Sequence, residues 1–272
     1  MLNYKDKVIV VTGAARGIGQ AVSIKFAEAG AIVVLADKQL APQEETVLEI
    51  RRRGHSAYAF QCDVTSGESV GALVSSVLEC AGVPDIVYNN AVVIRSGGVL
   101  NASLDNIRQE FDVNVLGYLR ITQAFLPYMV TRGSGWIVNT ASPNAFVPPP
   151  IVADNLLGYC TTKGAEISMS YCMAISLRPK GIGVSVVLPD LTYTDSVYEL
   201  EGNAPASFHQ GFAEFVTTQS RSADIVAERI VERLRKQEYL VNVFDGFEES
   251  LKTWVNHGMD PALFLPPAST DT

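Results

Sequence analysis

Two side chains four residues apart, Tyr159 and Lys163, are the pair in this sequence best suited to moving a proton. At i and i+4 of a helix they share one face and lie within reach of each other. An ammonium beside a phenol favours the phenolate and lowers the tyrosine pKa. A phenol at its ordinary pKa of about 10 is a poor base at neutral pH, whereas a shifted one exchanges a proton with an alcohol. Ser142, just past the apolar stretch Trp136–Thr140, is placed to donate a hydrogen bond to a substrate oxygen. The same spacing also joins solvent-facing neighbours on many helices, so the pair needs a scaffold that aims it inward.

That scaffold begins with Lys7–Asp37. Val8-Ile9-Val10-Val11 is a β-branched apolar run and reads as a buried strand. The turn Thr12-Gly13-Ala14-Ala15-Arg16-Gly17-Ile18-Gly19 follows. Ile18, Val22, Phe26 and Ala27 then recur at helical spacing as far as Gly30, a helix stop. Ala31–Ala36 is a second strand, ending on Asp37. Strand, glycine turn, helix, strand and acid make the βαβ unit that binds dinucleotides. Its glycines let the backbone approach a pyrophosphate held at the helix N-terminus, and Asp37 would accept hydrogen bonds from the adenosine ribose.

The composition fits a globular chain with such a fold. The chain has 272 residues, enough for a full core, with 47 % hydrophobic and 18 % charged residues. A net charge of −8 with scattered Lys and Arg argues against a nucleic-acid partner. The basic run Arg51-Arg52-Arg53 falls at a helix end, where cations suit the dipole. No apolar run approaches the ~20 residues of a membrane span, and Met1–Lys5 lacks the apolar core of a signal peptide, so a cytoplasmic protein with no membrane partner is expected. Cys62, Cys80, Cys160 and Cys172 form no Cys-x-x-Cys pair, and with His55, His209 and His257 they make no ligand motif. No metal site is expected.

Downstream the alternation continues. Pro42–Arg53 reads as helix, Ser56–Cys62 as strand, Ser66–Ala81 as helix and Pro84–Tyr88 as strand. Ser103–Val130 reads as helix with breaks, Trp136–Thr140 as strand and Tyr159–Arg178 as helix. Val184–Leu188 is a sixth strand, Ser222–Lys236 a helix and Leu240–Phe244 a seventh strand. The pattern predicts an α/β fold: a Rossmann-like, doubly wound parallel sheet of about seven strands with helices on both faces, in a single domain over 1–272. Ligands of such a sheet bind beyond the carboxyl ends of its strands. Here those ends carry Thr12, Asp37, Asp63, Asn89-Asn90-Ala91, Ser142 and Pro189-Asp190.

Taken in order, Thr12-Gly13-x-x-x-Gly17-x-Gly19, Asp63-Val64, Asn89-Asn90-Ala91, Asn114, Ser142, Tyr159-x-x-x-Lys163 and Pro189 to Thr194 resemble the short-chain dehydrogenase/reductase family, from about Lys7 to Phe244. The resemblance implies NAD as cofactor and hydride exchange with a secondary alcohol or ketone. Tyr159 would be the acid/base, Ser142 would orient the substrate oxygen, and Lys163 would hold the nicotinamide ribose and lower the Tyr159 pKa. Asn114 would support a water-mediated proton relay to Lys163. The cofactor would be bound by Gly13, Arg16, Gly17, Ile18, Gly19, Asp37, Asp63, Val64, Asn90, Ala91, Tyr159, Lys163, Pro189, Thr192 and Thr194. Three positions depart from the family pattern: Val92 and Asp190 replace glycines, and Pro148-Pro149-Pro150 stiffens a longer segment before Tyr159. A redox-silent NAD-binding scaffold would keep the same fold.

Four further expectations follow. Asp37 would repel a 2′-phosphate and so select NAD over NADP. Cys160, Gly164, Ser168, Cys172 and Ser176 form a ridge of small residues suited to close helix packing, and the family implies that this helix pairs across a two-fold axis in a homodimer or homotetramer. Residues 195–221, with Tyr198, Phe208, Phe212 and Phe215 and hinges at Gly202 and Gly211, would form an apolar substrate lid, and 250–272 a C-terminal tail. Asp190, if near the nicotinamide, would favour the oxidised ring.

Overall fold

The β-branched runs of this chain do form strands, and their period-two alternation decides which helices each strand meets. The structure is a computed structural model, and it describes residues 1–194 and 199–264. In the described residues the strands are β1 (Val8–Thr12), β2 (Ile32–Asp37), β3 (Ser56–Gln61), β4 (Ile86–Asn89), β5 (Arg95–Ser96), β6 (Gly135–Thr140), β7 (Ile182–Leu188), β8 (Glu201–Gly202) and β9 (Leu240–Asn242). Seven of them make one parallel sheet in the order β3-β2-β1-β4-β6-β7-β9, while β5 and β8 pair separately. The register puts Val8 opposite Ile32 and Ile9 opposite Ile86.

Along β1, Ile9 and Val11 face one core and Val10 the other. The first core takes Val22 and Phe26 from α1 (Gly17–Glu28), Val47 and Ile50 from α2 (Leu40–Arg52), and Val226 and Ile230 from α9 (Ala223–Leu234). The second takes Leu73 and Val77 from α3 (Gly67–Cys80), Ile121 and Phe125 from α5 (Gly117–Arg132), and Met173 and Leu177 from α7 (Leu157–Leu177). Fully burying each such side chain contributes roughly 1.5–3 kcal/mol. The chain steps outward from β1 through β2 to β3, then crosses back to β4 on the other side of β1. That reversal opens a crevice at the carboxyl ends of β1 and β4.

Ser103–Val130 is helical with a break, as expected: α4 (Leu104–Glu110), a π-helical turn (Phe111–Leu116) and α5 follow one another, with Gly117 N–H donating to Asp112 O five residues back. Other elements differ from expectation. After Pro149 in an extended conformation, α6 (Pro150–Asn155) begins, because a proline at the first helical position already holds the required φ. The expected lid contains a helix, α8 (Ala206–Gln219). Gly211 lies inside it and Gly202 inside β8, so neither glycine is a free hinge. The expected tail begins within α10 (Phe247–Asn256), where Phe247 is buried against Phe146 at 5.6 Å. Tyr198 lies outside the described residues.

Candidate active site

The glycine turn forms a cradle at the head of the crevice. Gly13 takes φ +65°, and a Cβ there would come within 2.7 Å of Ala91 Cα. A Cβ on Gly19 would run into the Gly13 carbonyl and the Asn90 side chain. The β1 and β4 backbones can therefore close on each other only through these glycines. Thr12 Oγ1, fully buried, accepts from the N–H groups of Asn90 at 3.0 Å and Ala91 at 3.2 Å. Asn90 Nδ2 donates back to the carbonyls of Thr12 and Gly13. Helix α1 starts at Gly17 with no side-chain cap, so its first N–H groups point at the crevice with the positive end of the helix dipole.

Around the cradle lie the other expected cofactor residues. Asp37, at the tip of β2, accepts from Ala15 N–H at 3.2 Å and from Gln39 N–H at 3.0 Å. Arg16 is exposed and ion-paired with Glu199 at 2.6 Å. Ile18 packs on the first core. Asp63 accepts from Thr65, which keeps its carboxyl below the ordinary value, and Val64 beside it is buried. Past Pro189, Thr192 Oγ1 donates to the Asp190 carbonyl, and the Thr194 methyl fills the space a Cβ on Gly17 would need. The loop after β7 thus closes over the glycine turn.

The proton-handling residues meet farther along the crevice. Ser142 follows β6, is buried, and accepts from Asn144 N–H at 3.2 Å. Its hydroxyl acts on the Tyr159 phenol as a hydrogen-bond partner and stabilises the phenolate. Lys163 Nζ sits 5.7 Å from the Tyr159 ring centre. It is bound to Thr140 O at 2.8 Å and to both carboxylate oxygens of Glu166, at 2.9 and 3.0 Å.

This arrangement corrects the expected effect of Lys163 on Tyr159. Burial, reinforced by the Glu166 charge, holds the phenol above its ordinary pKa, with Ser142 pulling the other way. The Lys163 charge is met by Glu166 before it can act on the tyrosine.

Asn114, in the π turn, is fully buried. It accepts from Val93 N–H at 2.9 Å and donates to Val93 O at 3.0 Å and Thr162 Oγ1 at 3.1 Å. Both side-chain donors are spent on holding the β4 exit loop against α7, so the amide reaches the neighbour of Lys163 and not Lys163 itself.

The remaining departures find places too. Val92 is half exposed, and it is absent from the described non-glycine residues with positive φ, so its backbone suits any side chain. Asp190 is turned into an ion pair with Arg221, and its neighbour Asp245 pairs with Arg221 at 2.8 Å and Arg229 at 3.1 Å. A carboxylate matched in this way offers little net charge to a nicotinamide, so the expected oxidative bias loses its basis. Phe208 and Phe212 stack at 5.2 Å, in a cluster with Val152, Leu156 and Tyr159, whereas Phe215 is half exposed.

The family described as short chain dehydrogenase matches residues 7–204. The chain belongs to that family. This short-chain dehydrogenase is 32% identical over 243 residues to "Probable oxidoreductase EphD" of Mycobacterium tuberculosis, with 86% of the chain and 40% of the relative aligned. It therefore spans about two-fifths of the length of that relative. It is 34% identical over 202 residues to 1-deoxy-11-beta-hydroxypentalenate dehydrogenase of Streptomyces exfoliatus, covering 73% of the chain and 72% of the relative. A short-chain dehydrogenase/reductase from Burkholderia phymatum, crystallised in complex with NAD, superposes with TM-score 0.85 at 25% identity, over 99% of this chain and 100% of the other.

Residue spacing alone passed over two carboxylates at the site. Glu110 closes α4, is 1 % exposed, and accepts from Arg95 N–H at 3.0 Å. Glu166 is fully buried. Lys163, Glu166, Ser170, Met173 and Leu177 recur every three or four residues, so once α7 is packed a lysine and a glutamate share the inward stripe. Among the described residues no group of His, Cys, Asp and Glu could hold a metal ion, and no helix is long and apolar enough to cross a membrane.

Proposed function

We propose that this short-chain dehydrogenase is an NAD-dependent oxidoreductase exchanging a hydride with a secondary alcohol or ketone of partly apolar character. One observation carries the reading: Ser142, Tyr159 and Lys163 converge in the crevice whose far end is a glycine cradle with an uncapped helix N-terminus. Gly13, Arg16, Gly17, Ile18, Gly19, Asp37, Asp63, Val64, Asn90, Ala91, Pro189, Thr192 and Thr194 would hold the dinucleotide, with its pyrophosphate at the start of α1. NAD supplies the two-electron acceptor or donor when bound. The Burkholderia structure with NAD and the Streptomyces relative's hydroxylated substrate support this assignment.

The protein's own part is the proton. In oxidation the Tyr159 oxygen takes the proton of the substrate hydroxyl as its carbon gives up hydride, and in reduction it returns that proton to the forming alkoxide. Ser142 donates a hydrogen bond to the same substrate oxygen. The stacked Phe208 and Phe212 beside Tyr159 would bury the apolar part of the substrate and exclude water, with α8 as its cover.

The test is a panel of secondary alcohols with NAD and ketones with NADH, followed by cofactor absorbance. Turnover of aryl or alkyl substrates is expected. Turnover confined to small, highly charged sugar acids would contradict the apolar assignment, and cofactor binding without turnover of any substrate would favour a scaffold.

A further inference from the structure

Lys163 and Glu166 are 2 % and 0 % exposed, three residues apart on the inward face of α7. Two apolar side chains could fill this volume without the cost of desolvating two charges. The carboxylate is aligned on the ammonium through both oxygens, while Thr140 O takes another of its protons. The backbone behind it is anchored: Glu166 O accepts from Ser170 Oγ at 2.6 Å, Ser170 from Asn139 Nδ2 at 2.8 Å, and Asn139 Oδ1 from Asn89 Nδ2 at 2.8 Å. A buried polar chain therefore runs from β4 across β6 into α7 and holds Glu166 in place.

Building on the dehydrogenase assignment, we propose that Glu166 is a positioning residue that seats the Lys163 ammonium and offsets its charge, so that the Lys163–Glu166 pair sets the pH at which Tyr159 releases its proton. The ionisable groups facing Glu166 are Lys163 and Tyr159 on its own helix and Tyr118 on α5; Lys163 Nζ lies over both rings, at 5.8 Å from Tyr118 and 5.7 Å from Tyr159. Tyr88 on β4 acts in turn on Tyr118, and Cys160 and Glu110 act on Tyr159. Every one of these except Lys163 makes a phenolate harder to form. With Glu166 ionised, the pair is neutral and Tyr159 stays a phenol to higher pH. With Glu166 uncharged, the lysine acts on the phenol unopposed. Burial raises the Glu166 pKa above the usual carboxylate range despite Lys163, which brings this change of charge towards neutrality.

The experiment uses protein labelled with 13Cζ-tyrosine, without cofactor, with the Tyr159 resonance identified by its loss in Tyr159→Phe. Glu166→Gln keeps the side-chain shape and removes the charge. Its Tyr159 titration should fall by roughly one pH unit, the scale of one nearby charge in a protein interior, and Glu166→Asp should restore most of the wild-type value. NAD affinity should gain a matching shift in its pH dependence, and the alkaline limb of alcohol oxidation should move the same way. Should Glu166→Gln fail to fold, the wild type decides: the Tyr159 resonance must show a second, smaller inflection well above pH 4.5, the ordinary glutamate value. A folded Glu166→Gln protein with an unmoved Tyr159 titration, or a wild type without that inflection, overturns the proposal. The NMR arm needs no turnover, so an inactive protein would count against the dehydrogenase assignment alone.

Discussion

Asp37 Oδ2 and the backbone N–H of Ala15 meet at 3.2 Å, so the acid at the tip of β2 is fastened to the glycine turn. Its charge is thereby fixed where a 2′-phosphate would need room. Of the nearby cations Arg16 and Lys38, Arg16 is already paired with Glu199. NAD should be preferred over NADP in kcat/KM, and Asp37→Ser should erase most of that preference. Glu199→Gln should raise NADP use only a few-fold, because exposed ion pairs are weak. Equal or better kcat/KM with NADP in the wild type would refute the assignment.

Gly19→Ala tests the cradle. The added methyl meets the Gly13 carbonyl, which is backbone, and the Asn90 amide, which the Thr12 and Gly13 carbonyls hold in place. NAD binding by calorimetric titration should weaken at least about tenfold, equivalent to about 1.4 kcal/mol, and Tm should fall. Gly71→Ala, in α3 with open space around the new methyl, is the control and should leave NAD binding unchanged.

Tyr159→Phe keeps the ring in the Phe208 cluster and deletes one oxygen. Turnover should fall on the order of 10²–10⁴, while the NAD dissociation constant stays within a few-fold. A kcat close to wild type would mean that another group carries the proton.

Much of this fold is legible in the sequence. Most strands of the large sheet follow from β-branched runs, β3 (Ser56–Gln61) being the exception, and their carboxyl-end residues follow from the alternation itself. The charge balance at α7 is not. Tyr159 and Lys163 are recognisable by spacing, but the effect of Lys163 depends on Glu166 and on burial, which only packing reveals. Asp190 misled for the same reason, since its partner Arg221 comes from a distant loop. A break within Ser103–Val130 is expected, but not its π-helical form, because a one-residue excess in a helix has no compositional signature.

Glu110 gives a stability prediction. Burial raises its pKa from 4.5 to about 7, against the Arg95 N–H and charge that lower it. The folded protein therefore binds this proton more tightly than the unfolded chain. The associated stabilisation is complete below pH 4.5 and is lost as pH rises to about 7. The shift corresponds to at most about 3 kcal/mol. Glu110→Gln should flatten that part of the stability profile, measured by urea unfolding between pH 5 and 8. An unaltered slope would show that the carboxyl titrates normally.

The small-residue ridge on α7 tests assembly. Ser168, Cys172 and Ser176 are exposed, with Tyr171 and Ile175 beside them at 58% and 60% exposure. Tyr171 leans on Tyr239 just ahead of β9, at 6.2 Å between ring centres, while the small residues themselves stay open for a second helix. Light scattering at micromolar concentration should give a dimer or tetramer, and Ser168→Arg should lower the mass without changing the circular dichroism. A monomeric wild type would remove the prediction.

The π turn at Phe111–Leu116 works as an index mark. Removing one residue there would let α4 and α5 run as one unbroken helix, but it would rotate everything upstream by about 100° around the axis. Glu110 would swing away from the Arg95 N–H, and α4 would turn a different face to α7. The floor beneath Tyr159 is thus set by a residue count: side chains in this segment can be exchanged one at a time, whereas a single deletion would re-aim the whole element.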